Sequence, residues 1–481
     1  MKISIIGLGK LGSPMLAVMA HKGHTVVGMD LNPGFVAAIN NGNAPLQEPG
    51  LQQMIEANRQ RISATASYEE AVLATDVTFI MVPTPSGADG RFSLTYVMSA
   101  AEQIGAALKK KGSWHLVVLS STVMPGSTGG TLLPALEKFS SKKAGQDFGL
   151  CYNPEFIALG SVIRDMLNPD MILIGESDGR SGGILQELYT GVCESKPRIN
   201  RMNYVNAELT KLSVNTFVTT KISYANMLAQ VCETLPGADV DVVTSAIGCD
   251  TRIGRKYLQG ALGYGGPCFP RDNIAFAALA RGNGAPALLA EATDATNRGQ
   301  VPRLSEIIQA RLPEGGTVGV MGLSYKPDTD VIVESQGVTL AQRLLETGVR
   351  VVVYDPAAMD NARQQLRGNV IFAATAAECA GEADVLAITT PWPEFKELKP
   401  QDLKRDNGMP VVLDCWRILP REQFEGRVDY LMLGYGSQQN ANAAPDRERV
   451  LTVEANRMSW PNQSSSIATG SYNLRLKPES P

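Results

Sequence analysis

Residues 1–12 read MKISIIGLGKLG. Lys2 to Ile6 is a short apolar run of the kind that makes a buried parallel strand, and it enters Gly7-Leu8-Gly9-Lys10-Leu11-Gly12 directly, followed by the helix-like SPMLAVMAHKG. In such a strand, glycine turn and helix, the first glycine makes the turn, the second lets the backbone approach a pyrophosphate, and the third lets helix and strand pack closely. The helix N-terminus adds N–H donors for an anion. A lone GxGxxG is weak evidence, but HTVVGMD supplies a second strand ending at Asp30, about twenty residues on, where an acceptor for a ribose 2′-OH belongs. An acid there repels a 2′-phosphate, so the expected cofactor is NAD rather than NADP. The plainer alternative, a glycine-rich turn with a structural Asp, accounts less well for strand, spacing and acid together.

Further strands follow at DVTFIMVPTP (residues 76–85) and HLVVLSSTVMPG (residues 115–126), each ending in small, polar or proline-rich residues where a doubly wound sheet places ligands. Thr84, Ser120 and Thr122 are expected to face the cofactor. Any one hydroxyl taken alone is equally a plain strand-to-loop residue, and their repeated position at strand ends is what favours function.

A chain of 481 residues is more than one hydrophobic core usually serves, so several domains are expected. With 44% hydrophobic and 19% charged residues and a formal net charge of −4, it has no electrostatic appetite for nucleic acid or an anionic membrane. Its seven cysteines form no CxxC pair and no zinc-like spacing, which implies reduced thiols and no metal site. The N-terminal apolar run is too short and glycine-broken for a secretory signal, and no later run reaches about eighteen apolar residues. The expected location is the cytoplasm, away from membranes.

Residues 206–233 carry apolar side chains at helical spacing and predict a long helix of roughly seven turns. Lys211, Asn215 and Thr219 are four apart and share one face, either a functional polar stripe or a solvated one. After Gln300 a second α/β pattern runs through GTVGVMGLSYKPDTD, GVTLAQRLLETG, VRVVVYDP, ADVLAITTPWPEF and PVVLDCW. The expected fold is therefore α/β, with two Rossmann-like doubly wound sheet domains joined by a central long helix or helical domain. The boundaries are 1–200 for the cofactor domain, 201–299 for the central region and 300–436 for the second sheet domain. A polar tail, 437–481, is expected to be disordered or draped over a surface. The second sheet half lacks GxGxxG and need not hold a dinucleotide; Lys326 in its first strand-end loop is a candidate for a different phosphate, or simply an exposed lysine. GYGGPCFPRD (residues 263–272) sets Cys268 between two prolines after paired glycines. Out of context, a buried structural cysteine is the commoner reading.

Context comes from a family. GLGKLG, VPTP, SSTVMPGST, NPEF, AELTKLSVNTF, TRIG, GYGGPCFPRD and KPDTD occur in this order. Together they resemble a nucleotide-sugar dehydrogenase of the UDP-glucose/GDP-mannose dehydrogenase family over residues 1 to 436. NPEF speaks against the N-acetylmannosamine branch, and YLQGALGYGG with GGPCFPRD is more similar to the UDP-glucose branch than to the GDP-mannose one.

The resemblance implies a four-electron oxidation of a sugar CH2OH to a carboxylate, taken up by two successive NAD molecules. Cys268 is the implied nucleophile, passing through a thiohemiacetal and a thioester. Lys211 and Asn215 bind and polarise the C6 oxygen, Asp272 lies near a water, and Thr122 and Glu155 complete the catalytic set, Glu155 or Asp272 acting on the hydrolytic water. Lys211 and a helix N-terminus near Cys268 are expected to favour its thiolate, and Gly265 and Gly266 to leave room for the sugar. Gly7, Gly9, Leu11, Gly12, Asp30, Pro83, Thr84, Ser120 and Thr122 form the implied cofactor set. Glu155, Phe156, Lys211, Asn215, Arg252, Tyr257, Tyr264, Gly265 and Lys326 form the substrate set, with Arg252 reaching the neighbouring subunit's sugar and the long helix making a symmetric homodimer. Similar enzymes carry arginine where this chain has Val333 and Trp416, with Arg417 one position later, and lysine where it has Arg271. Two other readings are open at this point: a two-electron hydroxyacid dehydrogenase, which needs neither Cys268 nor a second NAD, and a nucleotide-sugar sensor that keeps the fold without turnover.

Overall fold

The structure, a computed structural model, describes residues 1–403 and 408–437. The polar tail, from residue 438 on, lies outside the described residues. The first sheet contains β1 (Lys2–Ile6), β2 (Thr25–Met29), β3 (Ile62–Thr65), β4 (Val77–Ile80), β5 (His115–Leu119), β6 (Phe148–Tyr152), β7 (Met171–Glu176) and β8 (Arg198–Met202). Their spatial order is β3-β2-β1-β4-β5-β6-β7-β8. The first six are parallel in the order of a dinucleotide-binding sheet, whereas β7 runs antiparallel to β6, pairing Cys151 with Glu176.

Helices cover both faces, which is why these strands read as continuous apolar runs instead of alternating ones. Ile3, Ile5, Val77, Phe79, Leu116 and Val118 enter one core, and Ile6, Ile80, Val117 and Leu119 the other. Each such burial stabilises the domain by about 1.5–3 kcal/mol. The turn after β1 shows the close packing that its glycines permit: Gly7 has φ +98°, and a Cβ on Gly12 would stand 1.8 Å from the Gly7 carbonyl oxygen.

The second sheet contains β9 (Thr317–Met321), β10 (Arg350–Tyr354), β11 (Val370–Phe372), β12 (Val385–Ile388), β13 (Val411–Asp414) and β14 (Asp429–Met432), all parallel, in the order β11-β10-β9-β12-β13-β14. It repeats the first turn in disguise. Gly322 has φ +102°, and a Cβ on Gly337 would stand 2.0 Å from its carbonyl oxygen, as Gly12 does to Gly7. The Asp355 carboxylate accepts from Leu323 N at 2.7 Å, as Asp30 accepts from Leu8 N at 2.7 Å. The match ends there, because Asp355 is 1% exposed and also accepts from Ser324, Ala357, Ala358 and the Trp392 indole. No oxygen of it is left for a ribose.

Between the sheets runs the 30-residue helix Tyr204–Glu233, started by an Asn203 cap whose side chain accepts from Asn206 N. The helices Phe269–Gly282 and Leu288–Arg298 pack on it. Lys211, Asn215 and Thr219 are 6%, 7% and 0% exposed, so the polar stripe faces protein and not solvent. Among the described residues, no helix is long and apolar enough to cross a membrane.

Candidate active site

The long helix, the loop after β6 and the start of the helix Phe269–Gly282 enclose a cleft of about 710 Å³, lined by Glu155, Phe156, Lys211, Asn215, Tyr257, Cys268 and Lys326 among others. Residues far apart in sequence meet here because β6 ends at Tyr152 and releases Asn153-Pro154-Glu155-Phe156 against the first turns of the long helix.

Cys268 is the N-cap of the fourteen-residue helix Phe269–Gly282, which has a proline in its first turn, a position where the missing N–H costs nothing. The residue is exposed to the cleft, unlike the buried Cys151, Cys232, Cys379 and Cys415. Burial by the surrounding walls pushes its thiol up and the Asp272 carboxylate adds to that, while Lys211 and Arg271 pull it down. The net direction is upward, which corrects the expectation that Lys211 and the helix end leave the thiolate favoured in the free protein.

Lys211 donates from Nζ to the Glu155 carbonyl at 2.6 Å and lies 4.7 Å from the centroid of the Phe156 ring. Asn215 Nδ2 donates to Asp272 Oδ2 at 2.6 Å, with Asp272 1% exposed. Removing one partner of such a buried pair leaves the other unsatisfied, at about 1–3 kcal/mol. The other carboxylate oxygen, Oδ1, is buried with no hydrogen-bond partner and stands 3.6 Å from Arg271 Nε. The Glu155 carboxyl is raised to about 7 by burial, against the pull of Lys211. An exposed thiol, a buried ammonium, an amide donor and a carboxyl near neutrality thus share one cleft.

The cofactor set rims the C-terminal edge of the first sheet. Space beside Gly9 is open, with nothing within 4 Å of where a Cβ would stand, as approach by a pyrophosphate requires. Asp30, at the end of β2, keeps its carboxylate at the turn, accepting from Leu8 N and from Asn32 N at 2.8 Å. Leu11 precedes the helix Gly12–His21, Pro83 is exposed, and Ser120 Oγ is buried without a hydrogen-bond partner. Thr84 Oγ1 donates to the Thr122 carbonyl at 2.7 Å. These residues fit a dinucleotide.

Other predicted residues fall elsewhere. Tyr257 lines the cleft with φ +64°, a costly conformation for an aromatic residue and one that clusters at ligand sites. Tyr264 is buried with its ring edge-on to Phe269, and its N–H donates to Asn297 Oδ1 at 2.7 Å. The space beside Gly265 and Gly266 is filled by the Glu334 carbonyl and the Tyr325 ring, so it is third-domain packing, not room for a sugar, that demands glycine there. Arg252 pairs with Asp250 and leaves its guanidinium in solvent outside its own cleft. Arg417, at φ +55°, is committed to Asp241 at 2.7 and 2.8 Å and to the Leu433 carbonyl. The Trp416 indole donates to the Thr389 carbonyl, and Val333 is exposed.

Two further residues matter: Arg271, noted in the sequence only as replacing a lysine, and Glu208, which sequence reasoning missed. Arg271 links the cysteine helix to the cofactor edge: it donates to the Thr84 carbonyl at 2.9 Å and stacks 4.4 Å from the Phe92 ring centroid. Glu208, 0% exposed, accepts from Gly126 N and Thr128 N at 2.6 and 2.7 Å and fixes the turn after Thr122. Nothing local marks Arg271, but an acid on the inner face of the long helix could have been flagged as needing a partner.

The chain matches three family models: the NAD binding domain of the UDP-glucose/GDP-mannose dehydrogenase family over residues 1–193, its central domain over 205–299 and its UDP binding domain over 319–421. It is 38% identical over 429 residues to the UDP-glucose 6-dehydrogenase of Haloferax volcanii, covering 88% of this chain and 98% of that protein. It is 34% identical over 359 residues to the GDP-mannose 6-dehydrogenase of Pseudomonas aeruginosa, covering 74% and 81%. A solved UDP-glucose dehydrogenase from Pyrobaculum islandicum superimposes with a TM-score of 0.82 at 36% identity, covering 90% of this chain and 98% of that one. With its three domains, its cleft and these likenesses taken together, the chain belongs to the UDP-glucose/GDP-mannose dehydrogenase family, NAD-dependent enzymes that act on nucleotide sugars.

Proposed function

We propose that this chain oxidises the C6 alcohol of UDP-glucose to the carboxylate, through a covalent intermediate on Cys268. The observation that carries the proposal is the convergence of Cys268, Lys211, Asn215 and Glu155 on one cleft. A sensor without turnover has no use for that set, and a two-electron dehydrogenase has no use for the cysteine.

The Gly7–Gly12 turn and Asp30 would hold NAD, which when bound would supply a two-electron hydride acceptor; the four-electron oxidation would therefore use two per sugar, each oxidation also releasing one proton. Lys211 and Asn215 hold the reacting oxygen, first as alcohol and later as the oxyanion that forms when sulfur adds. The Cys268 thiolate adds to the aldehyde carbon and the C=O electron pair moves to that oxygen; loss of the hydrogen from carbon as hydride leaves a thioester. Water then adds, the C–S bond breaks, and sulfur leaves with a proton as the carboxylate is released. Glu155, near 7, is matched to taking the proton from that water. Asp272 serves instead to orient Asn215.

The same reading makes the protein a homodimer through the outer face of the long helix, where Phe217, Tyr224 and Val231 recur at heptad spacing and are 65%, 48% and 47% exposed. Arg252, which does not line its own cleft, then serves the partner's.

Because Val333 and Trp416 stand where similar enzymes carry arginine, the nucleotide is the point to test. UDP-glucose, GDP-mannose and UDP-N-acetyl sugars supplied in parallel to the purified enzyme should separate, UDP-glucose leading in kcat/KM by about a hundred-fold or more, as polar pairing to a base allows. A lead for GDP-mannose would keep the chemistry and replace the substrate.

A further inference from the structure

We infer that the third domain registers the nucleophile: a phosphate bound at Lys326 acts on Cys268 through the Tyr325 ring and the Gly265–Gly266 backbone. This deepens the nucleotide-sugar reading above and rests on it.

Residues 263–268 form an arm with no helix or strand of its own. One side is pinned by the central domain, where Asn297 accepts from Tyr264 N and donates to Tyr264 O at 3.0 Å. The other side is the third domain. Gly266 N donates to the Val333 carbonyl at 2.9 Å, and Gln336 Nε2 reaches the Tyr264 carbonyl at 3.5 Å. The contact is too close for side chains on the arm: a Cβ on Gly265 would stand 2.3 Å from the Glu334 oxygen, and one on Gly266, at φ +85°, 2.6 Å from the Tyr325 ring. The ring therefore backs the arm two residues before the thiol.

Tyr325 is also the chain neighbour of Lys326, the cation that lines the cleft. Its N–H donates to the Val331 carbonyl at 3.0 Å, closing a tight loop that contains Lys326 and Asp328 at φ +61°. The Lys326 side chain lines the cleft that Cys268 opens into, with its ammonium 6.0 Å from the Tyr325 ring centroid. Burial raises the Tyr325 phenol, and charge on Cys268 is the next cause, which places ring and sulfur within electrostatic reach. Ammonium, ring and glycine backbone thus lie in series between the cleft and the residue that carries the thiol. Tyr325 does not line the cleft and acts as a positioning residue, presenting the thiol when the nucleotide end of the substrate is anchored.

The test uses full-length wild type, Tyr325→Phe and Tyr325→Leu. UDP and GDP are titrated by calorimetry, and Cys268 alkylation by iodoacetamide is then timed by peptide mass with and without the nucleotide that binds. Neither nucleotide carries the hexose that would cover the sulfur. Bound nucleotide should raise the wild-type rate constant by about five-fold or more. Tyr325→Phe keeps the ring and should keep the change, whereas Tyr325→Leu should bind nucleotide and lose it. If Tyr325→Leu does not fold, Gly266→Ala, which forces arm and ring apart, should lose the change in its place. Binding with an unaltered wild-type rate, or an undiminished change in Tyr325→Leu, overturns the inference alone. Failure of both nucleotides to bind wild type, with NAD still bound, removes the nucleotide reading and the inference with it.

Discussion

The proton on Cys268 is held by burial and by Asp272 and loosened by Lys211 and Arg271, with the first pair prevailing. A thiol held above its ordinary value gains thiolate about ten-fold per pH unit across neutrality, so alkylation of the free enzyme should climb without levelling between pH 7 and 9. A plateau below pH 8 would mean that the cations prevail. Glu155 works in a lower window. Its carboxyl, raised to about 7, is protonated below that pH and cannot take a proton from water, so thioester hydrolysis should slow as pH falls through 7. The residue types for this chemistry were legible in the sequence, since Cys268, Lys211 and Asn215 sit in recognisable runs. Their balance was not, because it depends on how deeply the walls of the cleft close around the sulfur. Nor was Arg271 legible as a link, because its partner Thr84 lies 187 residues away.

At the scale of elements, the first strand, turn and helix were plain from residues 1–21, while the second turn was hidden. Residues 323–336 intervene between Gly322 and Gly337, so a motif of fixed spacing cannot find it, although the backbone closes in the same way. The antiparallel β7 was likewise invisible, because a run buried on both faces carries no mark of direction. Two predictions belong here. His115, at the start of β5, is fully buried, bonded from Nε2 to Thr78 Oγ1 at 2.7 Å and from Nδ1 to the Thr75 carbonyl at 3.1 Å. Burial first, then Lys111, lowers it from 6.5 to about 3. The unfolded chain takes up this proton below about 6.5 and the folded one does not, so folding loses about 1.4 kcal/mol per pH unit from that value down toward 3. His115→Gln should flatten the pH dependence of urea unfolding by one proton between pH 6 and 4; an unchanged slope would place the linkage elsewhere. On the long helix, Phe217→Glu puts charge on the exposed heptad face and should convert a dimer to monomer in analytical ultracentrifugation. A wild type that sediments as a monomer contradicts the dimer directly.

Across the whole molecule, the cleft exists because three domains are tied together at specific seams. Arg417 joins the third domain to Asp241 of the central one, Arg271 joins the cysteine helix to the cofactor edge, and the glycine arm is clasped between Asn297 and Tyr325. These seams explain why the contacts between domains were not legible in the sequence: a sheet domain announces itself by local pattern, whereas Arg417 or Tyr325 looks like any loop residue until the partner domain is in place. The central claim, that one cleft carries an alcohol through two oxidations on Cys268, is tested most directly by counting NADH formed per UDP-glucose consumed when the sugar nucleotide is limiting, with Cys268→Ser run beside the wild type. The account predicts two NADH for the wild type and at most one for Cys268→Ser; one for the wild type, or two for the variant, would contradict it.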